Sequence, residues 1–167
     1  MKKRGMNKLN TGKQFEQDFK KSVPEDVFFY RFRDGTAAWD SGENTRFQQS
    51  NMCDCMIFDG VLYLLELKSH KGKSLPFKKI RKNQVEELSK ANTYSKVVAG
   101  FIVNFRDVDK TYFATAPKVE YFMTHEERKS IPIAWFEENG TLITQRRLKV
   151  HYRYGIDEFL TANTNGI

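Results

Sequence analysis

The sequence predicts an α/β fold, a mixed central β-sheet flanked by helices, and three observations carry the prediction. Phe15, Phe19 and Val23 recur at helical spacing, which marks one buried helix face. Two strand-like runs, 53–58 and 61–68, flank Asp59-Gly60, the strongest short-range hairpin signal. An apolar run from Val97 to Phe105 reads as a central strand. The full predicted order is helix, strand, hairpin, helix, strand, strand, helix, which gives a mixed sheet with helices packed beside it.

At 167 residues the chain suits one domain, residues 11–167, preceded by a basic arm over 1–10. Hydrophobic content of 40% with 29% charged residues excludes full disorder. A net charge of +7 and a pI near 9.4 point to a polyanionic partner, most often nucleic acid. No apolar run approaches the roughly 20 residues of a membrane span. The basic start is not followed by an apolar core, so no signal peptide and a cytosolic location are expected. Cys53 and Cys55, at i and i+2 on a strand, are expected on one face as buried reduced thiols, because a bridge between such near neighbours is strained. His70, His125 and His151 show no zinc-ligand spacing with them.

Taken in order, the first helix is expected over Thr11–Ser22, capped by Asn10 or Thr11. Pro24 ends it, and Val27 to Arg33 forms a strand with Arg31 and Arg33 on one face. Residues 34–51 turn polar and form a long loop, in which Trp39, Arg46 and Phe47 either stack on a base or pin the loop. In the hairpin, a two-residue turn would place Asp54 on the wrong face for Glu66. A three-residue loop, Phe58–Gly60, pairs Ile57 with Val61 and Asp54 with Leu64, brings Asp54 to the face of Glu66 and Lys68, and puts Gly60 in the left-handed position. The second helix is expected from Ser74 or Leu75, with Pro76 in its first turn, to Asn92. Its apolar stripe is Phe77, Ile80, Leu88 and Ala91, with Gln84 on that stripe. Further on come a strand at Thr111–Thr115, a helix at Pro117–Arg128, a short strand at Ile133–Phe136, a hairpin or strand within 141–154, and a helical turn at Asp157–Thr161.

The chemistry concentrates on the hairpin. A carboxylate and an ammonium at the end of a buried strand need partners. Asp54 and Glu66, on neighbouring strands about 5 Å apart, can share a hard cation. The Leu67 carbonyl is a further oxygen donor. Mg²⁺ (or Mn²⁺) keeps several waters, so this set together with a substrate phosphate suffices. Lys68 would orient the attacking water and stabilise developing charge, which is phosphodiester hydrolysis. Glu16 could hold a second metal or a water if its helix packs across the sheet edge; its alternative is a solvated helix residue. Gln84 either bonds nearby backbone or reaches the Asp54/Glu66/Lys68 site. DNA contacts are expected from Lys2, Lys3 and Arg4 of the arm, from Lys13, Arg31, Arg33 and Arg46, and from Lys71 and Lys73 in the loop after the hairpin.

These motifs, Asp54 with Glu66-Leu67-Lys68 preceded by a helix bearing Glu16, resemble the PD-(D/E)XK nuclease superfamily. Within it the chain is similar to the RecU-type Holliday junction resolvases, phage versions included. The likeness is strongest from Asp54 to Leu88, in Glu66-Leu67-Lys68, Ser74-Leu75-Pro76-Phe77 and Asn83-Gln84-Val85-Glu86, and extends over roughly 10–125. It implies a restriction-endonuclease-like fold, metal ligation by Asp54, Glu66 and Gln84, and transition-state stabilisation by Lys68. It also implies Mg²⁺ or Mn²⁺, a homodimer and symmetric nicking of four-way junctions, in which two equivalent sites suit a two-fold substrate. Met52 stands where the family usually has Thr, no Pro precedes Asp54, and 34–51 is shorter than the family's stalk. Two other readings are a nuclease of different DNA-structure specificity and a non-catalytic basic DNA-binding protein whose acids only pair with Lys68.

Overall fold

Phe15 and Phe19 bury one face of the first helix, and that face fixes where the sheet lies. The structure, a computed structural model, describes residues 11–32 and 51–164. The basic arm with Lys2, Lys3 and Arg4, together with Arg33 and the loop bearing Trp39, Arg46 and Phe47, lies outside the described residues.

Helix α1 spans Thr11–Ser22, as its spacing predicts. It leads into β1 (Phe28–Arg31), then β2 (Cys55–Phe58) and β3 (Leu62–His70) of the hairpin. A short β4 (Ser74–Pro76), a 3-10 turn (Phe77–Lys79) and α2 (Lys82–Ala91) follow. Next come β5 (Val97–Phe105), β6 (Lys110–Thr115), α3 (Ala116–His125), β7 (Ser130–Pro132) and α4 (Ile133–Asn139). The chain closes through β8 (Thr141–Ile143), β9 (Gln145–Arg147), β10 (Tyr152–Tyr154) and α5 (Ile156–Thr164).

The central sheet has six strands in the order β1-β2-β3-β5-β6-β8. It is mixed: β3 and β5 run parallel, joined over one face by α2, and the other neighbours are antiparallel. One face packs on α2, α3 and α4 through Leu64, Leu88, Phe101, Phe105 and Phe136. The other packs on α1 and α5 through Phe15, Phe19, Tyr63, Ile102 and Phe159. No described helix is long and apolar enough to cross a membrane.

Several expectations are corrected. The second helix does not start at Ser74 or Leu75. Ser74–Pro76 instead pairs with β7, Ile80 and Arg81 are extended, and α2 begins only at Lys82. A strand partner some 55 residues away overrides the local Pro signal. Ile133–Phe136 belongs to α4, not to a strand. Extended Pro132 precedes it and Phe136 points into the core; so short an apolar run does not declare its own period. Helix α3 ends at His125, before Arg128. The segment expected to be a hairpin or strand divides into β8, an edge of the main sheet, and a separate β9–β10 hairpin.

Two glycines are fixed by the backbone for different reasons. Gly60 has φ of 71° in open space, so only its left-handed conformation matters. At Gly100, where β5 meets β6, a Cβ would lie 2.2 Å from the Ala114 carbonyl oxygen and 2.9 Å from Thr115 Cα. Urea unfolding should show Gly60→Ala costing about 1–2 kcal/mol. Gly100→Ala should cost more, at or beyond the upper end of the roughly 1–3 kcal/mol of an overpacked core, because backbone rather than a side chain has to move. Equal losses at the two positions would contradict this close approach of β5 to β6.

Candidate active site

The β2–β3 hairpin pairs Phe58 with Leu62, Ile57 with Tyr63, Met56 with Leu64 and Cys55 with Leu65. The loop is three residues long with Gly60 left-handed, as expected, but it consists of Asp59–Val61. The register is therefore two residues from the predicted one. A shift of two keeps every side chain on its face, so the alternation still brings Asp54 toward Glu66 and not merely toward Leu64.

At Asp54 the ladder breaks. The Asp54 N–H donates to the Leu65 carbonyl at 3.1 Å, and its own carbonyl accepts from the Phe32 N–H at 2.9 Å. A continued ladder would bring Cys53 opposite Leu67. Instead, the Leu67 N–H donates to Asp54 Oδ2 at 2.7 Å, so a carboxylate stands where the next rung would have been. The irregularity also separates the two thiols: Cys53 packs toward α2 and Cys55 toward α1. This corrects the expectation of one shared face, and the cause is the extra residue of a bulge-like break. Both thiols are free and buried. Burial, and then the charges of Glu66 and Asp54, push the Cys53 thiol up to about 12, so it stays protonated.

Glu66 is 3% exposed, and its Oε1 accepts from Lys68 Nζ at 2.6 Å. Its other oxygen, Oε2, is buried without a hydrogen-bond partner among the described residues. Gln84, in the first turn of α2 and 4% exposed, likewise has a buried, unpartnered Oε1. An orphaned buried acceptor costs about 1–3 kcal/mol, and here two occur on the sheet face that α2 covers. Burial, then the Glu66 charge, raise the Asp54 carboxyl to about 6, against the opposing pull of the Leu67 N–H, Lys68 and Arg31. Leu67 directs its N–H toward Asp54, and a strand residue turns its carbonyl to the same side.

The remaining candidates divide between the two sides of the sheet. Glu16 sits on the α1 side, where Arg31 Nη2 meets its Oε2 at 2.6 Å and Nε at 3.0 Å. Lys13, Glu16, Gln17, Lys20 and Arg31 line a depression of about 300 Å³ there. Met52 packs against the core under α2. Lys71 and Lys73 are exposed around Gly72. Neighbouring His70 is held below its usual pKa by burial and by Lys79, whose Nζ lies 2.9 Å from His70 Nδ1. One buried acid went unread: Asp18, 2% exposed on α1. Its signal was present, since Phe15, Asp18, Phe19 and Ser22 follow the i, i+3, i+4, i+7 pattern of one face.

The Asp54 and Glu66 carboxylates, the Gln84 amide oxygen and the Leu67 carbonyl are all hard oxygens, the donor class that could hold a hard divalent cation. Among the described residues no three His, Cys, Asp or Glu side chains converge.

In metal-free protein the folded chain holds a proton on Asp54 up to about pH 6, whereas the unfolded chain releases it near 3.8. Between those values Asp54 binds more proton in the native state than in the unfolded one, so its contribution to stability falls as pH rises from about 4 to 6 and then levels off. The difference in thermal stability between chelator-treated wild type and Asp54→Asn across pH 4–7 should show that fall. An identical pH profile in the variant would show that Asp54 is not held up.

The family described as Recombination protein U matches residues 13–158. The SPbeta prophage-derived uncharacterized protein YotM of Bacillus subtilis (strain 168) is 32% identical over 173 residues, covering 92% of this chain and 86% of that protein. Hjc of Archaeoglobus fulgidus, a Holliday junction resolvase from an archaeal hyperthermophile, superposes with a TM-score of 0.49 at 16% identity, covering 78% of this chain and 95% of that one.

Proposed function

This chain belongs to the Recombination protein U family, and from that premise we propose that it is an endonuclease that resolves four-way DNA junctions by metal-dependent phosphodiester hydrolysis. The observation that carries the mechanism is the two buried oxygens without a hydrogen-bond partner among the described residues, Glu66 Oε2 and Gln84 Oε1, together with an Asp54 carboxyl whose affinity for a proton is raised. Oxygens in that state are suited to accept from a cation.

In this reading Asp54, Glu66, Gln84 and the Leu67 carbonyl would hold Mg²⁺ or Mn²⁺, which would supply Lewis-acid neutralisation of the phosphate and acidification of a water. The chain's own part is positioning. The 2.7 Å bond from the Leu67 N–H fixes the Asp54 carboxylate. Lys68, held by Glu66 at 2.6 Å, places an ammonium at the edge of the buried pair, where it orients the attacking water and stabilises charge developing on the phosphate. Arg31 restrains Glu16 on the far side of the sheet edge, where Glu16 acts as a positioning residue for water or a second ion. Lys13, Lys71, Lys73 and Arg31 contact the DNA backbone. A homodimer would present two such sites to a two-fold junction. The exposed Phe28 (54%), Tyr30 (45%) and Phe58 (52%) on edge strand β1 and its neighbour β2 support self-association, since a contiguous apolar edge is a pairing surface.

The direct test compares cleavage of a four-way junction with that of linear duplex, in Mg²⁺ and in chelator. Junction-selective, chelator-sensitive nicking at symmetric positions is expected. Lys68→Ala should lower the cleavage rate by about 10²–10³-fold, and Asp54→Asn should lower it at least as far. Since Lys68→Ala also strips a partner from buried Glu66, unfolding midpoints must be measured alongside. Equal cutting of linear duplex would favour a nuclease of other specificity; junction binding without cutting would favour a binding protein.

A further inference from the structure

We propose that the β9–β10 hairpin is a second DNA-backbone surface, which grips a duplex arm of the same DNA whose strand enters the Asp54/Glu66/Lys68 site. The inference rests on the nuclease reading above and adds residues on a different part of the molecule.

The first observation is location. A rung of polar side chains starts at the residue after Lys68 and ends at the first residue of β9. Ser69 Oγ donates to Asn104 Oδ1 at 3.3 Å, Asn104 Nδ2 to Thr111 Oγ1 at 2.9 Å, and Thr111 Oγ1 to Gln145 Oε1 at 2.6 Å. Asn104 and Thr111 are buried. Ser69 to Thr111 is two interstrand steps of about 4.8 Å, and Gln145 lies one hydrogen bond further. The hairpin base is thus roughly one DNA groove width, about 12 Å, from the catalytic strand, at the same end of the sheet.

The second observation is mounting. Buried Asp18 accepts the Tyr152 N–H at 3.0 Å, Gln14 Nε2 at 2.8 Å, and lies 3.1 Å from His151 Nδ1. The Tyr154 N–H donates to Ser22 Oγ at 2.9 Å, and the Tyr152 hydroxyl to Asp109 Oδ1 at 2.7 Å. A three-residue strand pair has little stability of its own; these bonds fasten it to α1 and to the β5–β6 turn.

The third observation is charge. Arg146, Arg147, Lys149 and Arg153 are all exposed, and none is in an ion pair with a carboxylate of the described residues. Arg146 stands directly across from Arg153, an opposition of like charges that destabilises an isolated hairpin. A mount that holds like charges together with no carboxylate of the described residues paired to them, Arg153 donating instead to the Lys21 carbonyl, favours a ligand with closely repeated negative charge, and a DNA duplex carries one per about 1.7 Å of axis.

The test measures affinity for a synthetic four-way junction at several salt concentrations, under chelation so that no strand is cut, and the cleavage rate separately at saturating junction. For Arg146→Gln/Arg147→Gln/Lys149→Gln we expect at least tenfold weaker binding and a salt slope smaller by about 2–3, from roughly 0.9 per lost phosphate contact. Its unfolding midpoint should not fall, since one like-charge opposition is relieved, and its saturated cleavage rate should stay unchanged. The control Lys90→Gln/Lys96→Gln/Lys118→Gln, at the opposite end of the sheet, should bind within twofold of wild type. Undiminished affinity and slope in the hairpin variant, or an equal loss in the control, overturns the proposal. Wild-type protein that neither binds nor cuts the junction overturns the nuclease reading itself, and the hairpin assignment falls with it.

Discussion

One peptide N–H, that of Leu67, has no strand to pair with, and the arrangement of the site follows from how it is satisfied. Had β2 run on by two residues, Cys53 would have filled the rung and the sheet edge would have been closed by backbone. Because the break falls at Asp54, the group that satisfies Leu67 is a carboxylate at 2.7 Å. The negative charge is thereby held at the sheet edge by a main-chain donor, with no freedom to swing into solvent. The neighbouring carbonyl of Leu67 and the side chain of Glu66 are delivered by the same three residues of β3. The placement of the two acids thus arises from a local failure of strand pairing.

That placement has an energetic cost visible in the ionisation. Asp54 and Glu66 lie close enough to raise the affinity of Asp54 for a proton, and burial adds the larger share. Lys68 compensates one oxygen of Glu66 and leaves the other unsatisfied. Adding a hydrogen-bond donor at Glu66 Oε2 or Gln84 Oε1 would stabilise the fold, at the expense of the acceptor that the proposed mechanism uses. The frustration is local, on a central strand anchored by nine parallel register pairs with β5, so the fold can tolerate it.

Much of this was legible because it depends on parity. Strand alternation puts Asp54 and Glu66 on one face for any odd loop length between β2 and β3, so the predicted face survived a register error of two. Helix α1 and strand β5 were legible to the residue, since long periodic or uniformly apolar runs leave few alternatives. The failures share one cause, long-range pairing without a local mark. Ser74–Pro76 reads as a helix start until β7 offers a strand partner, and Ile133–Phe136 reads as a strand until Phe136 finds Phe105 and Tyr112 across α4. Alternation assumes an unbroken strand and so places Cys53 and Cys55 on one face, but the break falls at the residue between them.

The late start of α2 bears directly on the site. A helix begun at Ser74 would have carried Gln84 in its middle, about three turns in, with its position set by the packing of the whole stripe. Starting at Lys82, α2 places Gln84 in its first turn, directly after an extended segment pinned through β4 to β7 and through the Phe77 N–H to the Lys129 carbonyl. Val85 and Leu88 are buried just behind it. The amide is therefore located by a short, doubly anchored lever and not by a long helix free to slide along its apolar face. Ser74, Leu75 and Pro76, which look like helix-capping residues in the sequence, act through the strand they form: they set where α2 starts, and with it where Gln84 stands on the sheet face that α2 covers.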